Sequence, residues 1–524
     1  VREVDILIIG GGITGAGCLL EAVRAGFSTI LVEKNDFSSG TSSRSSRLIH
    51  GGIRYLESLQ FGLVHEALKE RYWIGETFPH LVRPLSIMLP LYRGGTRSPL
   101  LAAVGVTLYD FLAGQKNIGK SSIHLGKSAK RYLDGIRTKD LKGLCIFPDY
   151  QILMPERLVL EHILAAGKAG GDAFNYTEVT EISPSKESYI TRTRSRNGKG
   201  PMEIRSDLII NAGGPWIDSI RKIAGFRGSL IRPTKGVHLE VPRLSDEALF
   251  MEAGSDGRLF FILPILGHTL VGATDTDYTG SPDDVTPGKE DVDYLISNLN
   301  SILTERKLSP ADIYSAYSGL RPLINVQKKE ESDVPRKHRI VCEGIGKRFI
   351  SITGGKLTTF RKMAEDTVRE AARKSGKRVG VEGGNPLFPS GTPDEKEEKE
   401  FPRYLAEEFS IPLETALVIF SLYGMAGEKV LLHAGSDPFL RSPLSLPTKE
   451  VPAQILYAFE KEKAHTLEDV ALRRMLLGKT ASKGKEEGKL FRKILTGYLG
   501  HTKEESDEMI KEWEGTLNRD YMVK

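Results

Sequence analysis

The stretch VDILIIGGGITGAG, residues 4–17, decides the architecture. Its apolar run ends on three glycines, which reads as a buried parallel strand running into a tight turn. TGAGCLLEAVRAG then carries apolar residues at helical spacing and stops at Gly26, and STILVE, residues 28–33, reads as the next strand. That is a strand-helix-strand unit. Gly10, Gly12 and Gly15 fill the G-x-G-x-x-G positions, and the second strand ends on an acidic residue, Glu33. The glycine pattern alone is a weak signal, since such a turn can simply pack a helix tightly on a sheet. Between a strand and a helix, with Glu33 at the next strand end, its physics is specific. The backbone can approach a pyrophosphate, the helix start offers unpaired N–H groups, and the carboxylate can accept from ribose hydroxyls. The unit predicts a bound dinucleotide and leaves NAD and FAD equally open.

Just beyond the second strand lies TSSRSSRLIHGGIRYLE, residues 41–57, with five serine and threonine hydroxyls and three arginines. No period of 3.6 or 2 runs through its first half. Thr41, Ser42, Ser43, Ser45 and Ser46 follow closely on the phosphate site, and a second set of donors there suits an extended, buried cofactor. A serine-rich surface loop is the plain alternative.

Two further strand-turn-helix signals are SDLIINAGGPWIDSI, 206–220, and FISITGGKLTTFRKMAEDTVREAARKSG, 349–376. Between them, alternating stretches such as HLEV at 238–241, LFFILPI at 259–265 and TLVGATD at 269–275 suggest a second, largely antiparallel sheet inserted into the first domain. The Gly, Pro and charge cluster at 380–401 reads as a linker, and the chain beyond residue 401 is helical in pattern. At 524 residues, two or three domains are expected. An apolar fraction of 40% describes a globular chain, and a net charge of +5 does not suggest a nucleic-acid binder. Cys18, Cys145 and Cys342 are far apart, which argues against a disulfide framework or a zinc site, and no metal is expected. The first apolar run is short and leads straight into glycines, unlike a signal peptide. PLLAAVGVTLYDFLAG, 99–114, is shorter than the ~20 apolar residues of a spanning helix and contains Asp110, so no membrane crossing is expected.

GGGITGAG followed by TSSRSSRLIHGGIRYLE closely resembles the FAD-dependent glycerol-3-phosphate dehydrogenases, glutathione-reductase-like flavoproteins related to D-amino-acid oxidase and to alpha-glycerophosphate oxidase. NAGGPW (211–216), RPTKGVHLEVP (232–242), GATDTDYTG (272–280), YSGLRPL (317–323), GGKLTTFRKMAE (354–365) and LEDVALRRM (467–475) come after it in family order. The resemblance covers essentially the whole chain. It implies an α/β fold: a Rossmann-type FAD-binding domain with an inserted antiparallel-sheet substrate domain, then a C-terminal all-helical domain. The implied FAD-dependent oxidoreductase domain is 1–378, with FAD-binding segments about 1–75, 150–232 and 338–378 and substrate-binding segments about 76–149 and 233–337. A linker at 379–401 and a helical cap at 402–524 complete the plan.

The implied reaction takes hydride from C2 of sn-glycerol 3-phosphate to noncovalent FAD and gives dihydroxyacetone phosphate. By resemblance, Arg54, Tyr55, His238, Arg321, Arg336 and Lys356 contact substrate, and His238, Arg321 and Lys356 take part in catalysis. A near-dianionic substrate needs several fixed cations, each charge-assisted bond contributing roughly 1.5–3 kcal/mol. His238 is the candidate base, because an imidazole can accept a hydroxyl proton at working pH, although a histidine bonded within the sheet is the plain alternative. The expected FAD contacts are Gly10, Gly12, Gly15, Glu33, Thr41, Ser42, Ser46, Leu48, His50, Val179, Ala212, Gly213, Gly355, Lys356, Leu357 and Thr358. Implied partners are a membrane quinone, ubiquinone or menaquinone, and a membrane lipid surface; a homodimer stays open. The expected location is cytoplasmic, peripherally bound to the inner face of the cell membrane.

There are departures. Met154, Pro155 and Glu156 stand where relatives commonly carry two acidic residues, and the cap is lysine-rich. Oxygen as acceptor is the alternative, but the oxidases carry a long insertion after the RPL motif that INVQKKEESDVP does not match. An amino-acid oxidase would not need so many cations, and a flavin-binding protein without turnover would not need His238 beside them. PLLAAVGVTLYDFLAG lies between Arg93 and Arg97 on one side and Lys116, Lys120, Lys127, Lys130 and Arg131 on the other. It can dip into a lipid interface or serve as a core helix of the substrate domain.

Overall fold

The computed structural model describes residues 1–198, 200–325, 337–377, 386–444 and 447–521. In chain order, the elements that build the site are β1 (Arg2–Ile9), α1 (Ile13–Arg24), β2 (Thr29–Val32), α2 (Pro99–Ala113), β3 (Glu203–Asn211), β4 (Ile231–Pro242), β5 (Ser315–Ile324), β6 (Phe349–Thr353), α3 (Phe360–Ser375) and α4 (Leu467–Arg473).

The first sheet has eight strands. β1 pairs parallel with β2 on one side and β3 on the other, and β3 pairs parallel with β6. Ile6 and Ile8 of β1, Leu31 of β2, and Leu208 and Ile210 of β3 share one buried cluster with Leu19 of α1 and Phe360 of α3. Because the four strands run the same way, the loops leaving them gather at one edge: Gly10–Gly12, Glu33–Phe37, Ala212–Gly214 and Gly354–Lys356. That edge is where open parallel sheets bind ligands.

The second sheet has ten strands, antiparallel apart from one pair between Ala248–Glu252 and Val82–Tyr92. β4 and β5 form its long seam, in register from Ile231↔Ile324 to Glu240↔Ser315. Leu48–Ile49 pairs with Gln151 and Tyr150 in this sheet, so residues 41–49 carry the chain from one sheet to the other. The strand Leu141–Ile152 runs through the expected boundary at 149–150, because its whole length pairs with Val82–Tyr92.

The helical C-terminal region begins earlier than the sequence reading placed it. The expected linker, 379–401, contains the start of a helix, Glu395–Glu408, whose N-cap Asp394 accepts from Glu397 N at 2.8 Å while Glu397 accepts from Asp394 N at 2.9 Å. That reciprocal capping box turns a charged run into a helix start. Just before it, Phe388 is buried 4.5 Å from Phe78, and Ser390 N donates to Glu161 at 3.1 Å. These residues are docked on the first domain. The stretch Leu413–His433 is 21 residues long with mean hydropathy 1.4, long and apolar enough to cross a membrane, yet 61% of its most apolar window is buried in the protein. It forms two helices, Leu413–Tyr423 and Gly427–His433, joined by a tight turn at Gly424–Ala426 and packed into the core of this region.

Candidate active site

Gly10 takes φ +113°, and Gly10 N donates to Val32 O at 2.9 Å, so the turn leaves β1 across the end of β2. A Cβ on Gly15 would lie 1.9 Å from Gly10 O, and one on Gly10 would lie 2.6 Å from Ala212 O. Only glycine lets α1 and the Ala212–Gly213 turn close on the loop this tightly. Gly12 faces only Ser42 Oγ, with 3.2 Å to a built Cβ. Glu33 Oε2 accepts from Gly11 N at 2.6 Å and Oε1 from Asn35 N at 2.9 Å. Burial raises its pKa above the usual carboxylate value. Val179 is buried with Ile9 and Val32 beneath this turn.

The hydroxyl-rich loop divides its labour. Thr41 Oγ1 donates to Leu320 O at 2.6 Å, Ser42 Oγ accepts from Ile13 N at 3.0 Å, and Ser46 Oγ meets His238 Nε2 at 2.8 Å. Leu48 is buried in the second sheet. His50 N and O both bond Thr358 Oγ1, at 3.2 and 3.3 Å, and burial followed by the charge of Lys356 pushes its imidazole down to about 4. Gly51 N donates to Tyr109 Oη at 2.8 Å, and Tyr109 in turn donates to Asp149, which Arg71 holds at 2.7 Å. This buried triad pins the turn between the two sheets.

His238 stands on β4 opposite Tyr317 on β5, ring stacked on ring with centroids 5.0 Å apart. Its other side packs on Gly272, where a Cβ would come within 2.6 Å. Nδ1 is buried and without a partner among the described residues, and it keeps its lone pair in the tautomer that donates Nε2–H to Ser46. Burial first, then the charges of Arg321 and Arg47, push the imidazole down to about 3, so it is neutral at working pH.

Arg321 lies across Gly236, with Nη1 on Asp275 at 2.9 Å and Nη2 on Thr274 O at 3.1 Å. The resemblance implies a substrate-binding cation here; the structure balances its charge in part with Asp275. Gly354 N donates to Pro322 O at 3.3 Å, which ties the loop after β6 to the residue beside Arg321. From that loop, Lys356 Nζ sits 3.7 Å above the Tyr55 ring, beside Gly52. Arg54 is in the same short turn as Tyr55 and forms no ion pair among the described residues. Gly355 takes φ +74° against Met363, and Leu357–Thr359 forms the turn that opens α3. Arg336 lies outside the described residues. The fold thus gathers the glycine turn, His238, Arg321, Lys356, Arg54 and Tyr55 around one junction of the two sheets.

The sequence reading missed the C-terminal side. Asp36, three residues past Glu33, is wholly buried and accepts from Arg473 Nε at 2.6 Å and from both terminal nitrogens of Arg474 at 2.8 and 2.9 Å. Burial alone would raise this carboxyl, but Arg474 and Arg473 hold it below the usual range. Arg44 lies 4.4 Å from the Tyr521 ring, and Arg47 Nη1 donates to Leu153 O at 2.7 Å and lies 3.7 Å from Glu156. The arginines of TSSRSSR therefore face Tyr521, Leu153 and Glu156, while its hydroxyls serve the turn and His238. Glu156 itself accepts from Lys479 at 2.8 Å, and Arg157 from Glu156's own helix pairs with Glu462 at 2.7 Å. The only sequence signal was the twin arginine of LEDVALRRM.

Residues 5–361 match the model of the FAD dependent oxidoreductase family, and residues 377–506 match that of the C-terminal domain of alpha-glycerophosphate oxidase. A glycerol-3-phosphate dehydrogenase of Synechocystis sp. is 33% identical, covering 97% of this chain and 95% of its own. An aerobic glycerol-3-phosphate dehydrogenase of Staphylococcus aureus is 32% identical over 90% of this chain and 86% of its own. The crystal structure of the glycerol-3-phosphate dehydrogenase from Bacillus halodurans complexed with FAD superposes with a TM-score of 0.80 at 28% identity, over 99% and 95% of the two chains. The cofactor of this fold is FAD, and the residues present fit it. The glycine turn leaves no room for a Cβ at Gly10, Glu33 is a half-buried acceptor beside it, and Ser38 Oγ and His238 Nδ1 are buried without partners among the described residues.

Proposed function

The chain belongs to the FAD-dependent glycerol-3-phosphate dehydrogenase family, and on that premise we propose that it oxidises sn-glycerol 3-phosphate to dihydroxyacetone phosphate and passes the electrons to a membrane quinone. The observation that carries this reading is His238, a buried neutral imidazole with an unpartnered nitrogen, set beside a guanidinium and within the same junction as Lys356 and Arg54. When bound, FAD supplies the two-electron acceptor.

His238 Nδ1 takes the proton of the C2 hydroxyl while the hydrogen on C2 leaves as hydride, so the alcohol loses two electrons and becomes a ketone. Ser46 orients the imidazole through Nε2, and in the tautomer whose Nε2–H it accepts, Nδ1 is the unprotonated nitrogen. Arg321, Lys356 and Arg54 supply the positive field for a phosphate dianion, with Asp275 fixing the direction of the Arg321 fork. Tyr317 and Gly272 clamp the ring and exclude water from it.

The quinone reading rests on α2. This helix turns Val106, Tyr109 and Ala113 inward and leaves Leu100, Leu101, Val104 and Phe111 at 55–79% exposure. The sequence left a core helix and an interfacial helix open; α2 has one face of each kind. Ile123 and Leu125 on the neighbouring strand are also exposed, and Lys116, Lys120, Lys127 and Lys130 come after the helix. An apolar face rimmed by lysines suits the surface of an anionic bilayer, the place from which a lipid-soluble quinone is reached. The test is reoxidation. Enzyme reduced anaerobically by substrate is mixed separately with a short-chain quinone and with oxygen. Fast reoxidation by the quinone and slow reoxidation by oxygen support the reading; the reverse order makes the protein an oxidase.

A further inference from the structure

Two residues beyond His238, and on the same face of β4, Glu240 is buried. Its Oε2 accepts from Lys483 Nζ and from Ser315 Oγ, the latter at 2.8 Å, and His268 Nε2 lies 3.5 Å away. Lys483 belongs to KTASKGK, residues 479–485, in the helical C-terminal region. In the same segment Lys479 donates to Glu156 at 2.8 Å, and the second oxygen of Glu156 lies 3.7 Å from Arg47. Lysine, glutamate, arginine, glutamate and lysine thus alternate along one buried seam, all at 5% side-chain exposure or less.

Such a seam is a poor way to hold two domains together. Taking each charge out of water costs several kcal/mol, and well-packed apolar residues of similar volume do as well or better. The cost is visible in the lysines: burial pushes Lys479 down to about 7 and lowers Lys483. What the seam does provide is a fixed potential at His238. Three charges act on that ring: Arg321 on β5 and Arg47 in the loop above it disfavour its protonation, and Glu240 on its own strand favours it. Tyr317 and Ser46, its other neighbours, are neutral. Lys483 is the main counter-charge to Glu240, ahead of His268.

We propose that Lys483 is a positioning residue for His238: by compensating Glu240, it keeps the imidazole an uncharged base, so the C-terminal region completes the active site. The inference rests on the reading of His238 as the base. A protonated His238 cannot accept the hydroxyl proton, so activity falls as pH drops through the pKa of its ring. Removing the cation of Lys483 leaves Glu240 facing His238 and moves that fall to higher pH.

The experiment uses the full-length holoenzyme, with kcat expressed per bound flavin so that a partly folded preparation does not bias it. In Lys483→Met the acid limb of kcat shifts up by about one pH unit or more, while Lys483→Arg and the double variant Lys483→Met/Glu240→Gln keep the parent limb. Glu240→Gln alone leaves a buried cation near the ring, weakens the base and lowers the plateau kcat by several-fold; the double variant recovers it. This second comparison decides the matter where Lys483→Met holds no flavin. Coincident limbs in Lys483→Met and the parent, or equal plateaus in Glu240→Gln and the double variant, overturn the proposal. His238→Asn separates the two readings. Parent kcat per flavin in that variant removes His238 as the base, whereas a slow His238→Asn with unmoved lysine variants removes only the role of Lys483.

Discussion

Ser46 Oγ lies 2.8 Å from His238 Nε2, joining the loop after the glycine turn to the long strand of the second sheet across 192 residues of chain. That one bond fixes which nitrogen of the imidazole faces the open side of the junction. Replacing Ser46 with alanine leaves the ring stacked on Tyr317 but frees its tautomer and tilt. The expected outcome is a fall in kcat of roughly tenfold, about 1.4 kcal/mol, with KM nearly unchanged. Steady-state kinetics on the flavin-loaded variant decide it, and an unchanged kcat counts against the orientation role.

Arg321 reaches Asp275 at 2.9 Å and lies across Gly236. Arg321→Ala removes a cation from the junction and leaves Asp275 there, so the field turns against a phosphate dianion. KM should rise by about 10- to 100-fold while FAD stays bound. An unchanged KM would show that the phosphate is held elsewhere.

Glu33 holds Gly11 N at 2.6 Å and Asn35 N at 2.9 Å. In Glu33→Ala both donors and the ribose lose an acceptor, at a cost of about 1–3 kcal/mol in cofactor affinity. Flavin content after extended dialysis measures it, and full occupancy in the variant contradicts the assignment.

His162 is buried among Trp73, Phe78, Phe360 and Phe388, and its Nδ1–H donates to Leu158 O at 2.8 Å. Burial pushes its imidazole down to about 4. Below the ordinary histidine pKa of ~6.5 the unfolded chain binds a proton that the folded one refuses, so folded stability is lost as pH falls through this window. His162→Phe removes that term. Its stability relative to the parent should improve by up to about 1.4 kcal/mol per pH unit between about pH 6.5 and pH 4. Parallel stability curves for the two proteins would contradict the linkage.

For the membrane, replacing Lys116, Lys120, Lys127 and Lys130 with glutamate should abolish sedimentation with anionic liposomes and depress quinone reduction, while activity with a soluble dye persists. Each basic residue near an anionic surface contributes roughly 1 kcal/mol. Unchanged sedimentation moves the docking surface away from α2.

The parts legible in the sequence were those whose partners are local. The strand-helix-strand unit shows itself because Gly10, Gly12, Gly15 and Glu33 fall within one βαβ, and their spacing is dictated by a turn that a Cβ would block. The second sheet shows where Val237, Leu239 and Val241 alternate with His238 and Glu240 along β4. The reading failed where a partner is hundreds of residues away. Arg44 and Arg47 stand among the hydroxyls with no local sign of their partners, Tyr521 and Glu156. Asp36, Glu240, Lys479 and Lys483 carried no local pattern at all, since buried ion pairs leave no periodicity. The linker was misread for a different reason: Pro and Gly before PDEKEEKE hid the capping box of Asp394 and Glu397.

The most direct test of the account is an anaerobic titration of the purified yellow protein with sn-glycerol 3-phosphate, monitored by absorbance and product analysis. The account predicts that the flavin colour bleaches with one equivalent of dihydroxyacetone phosphate formed per flavin, and that His238→Asn slows the bleaching without loss of bound flavin. A flavin that dithionite bleaches and glycerol 3-phosphate does not would contradict it.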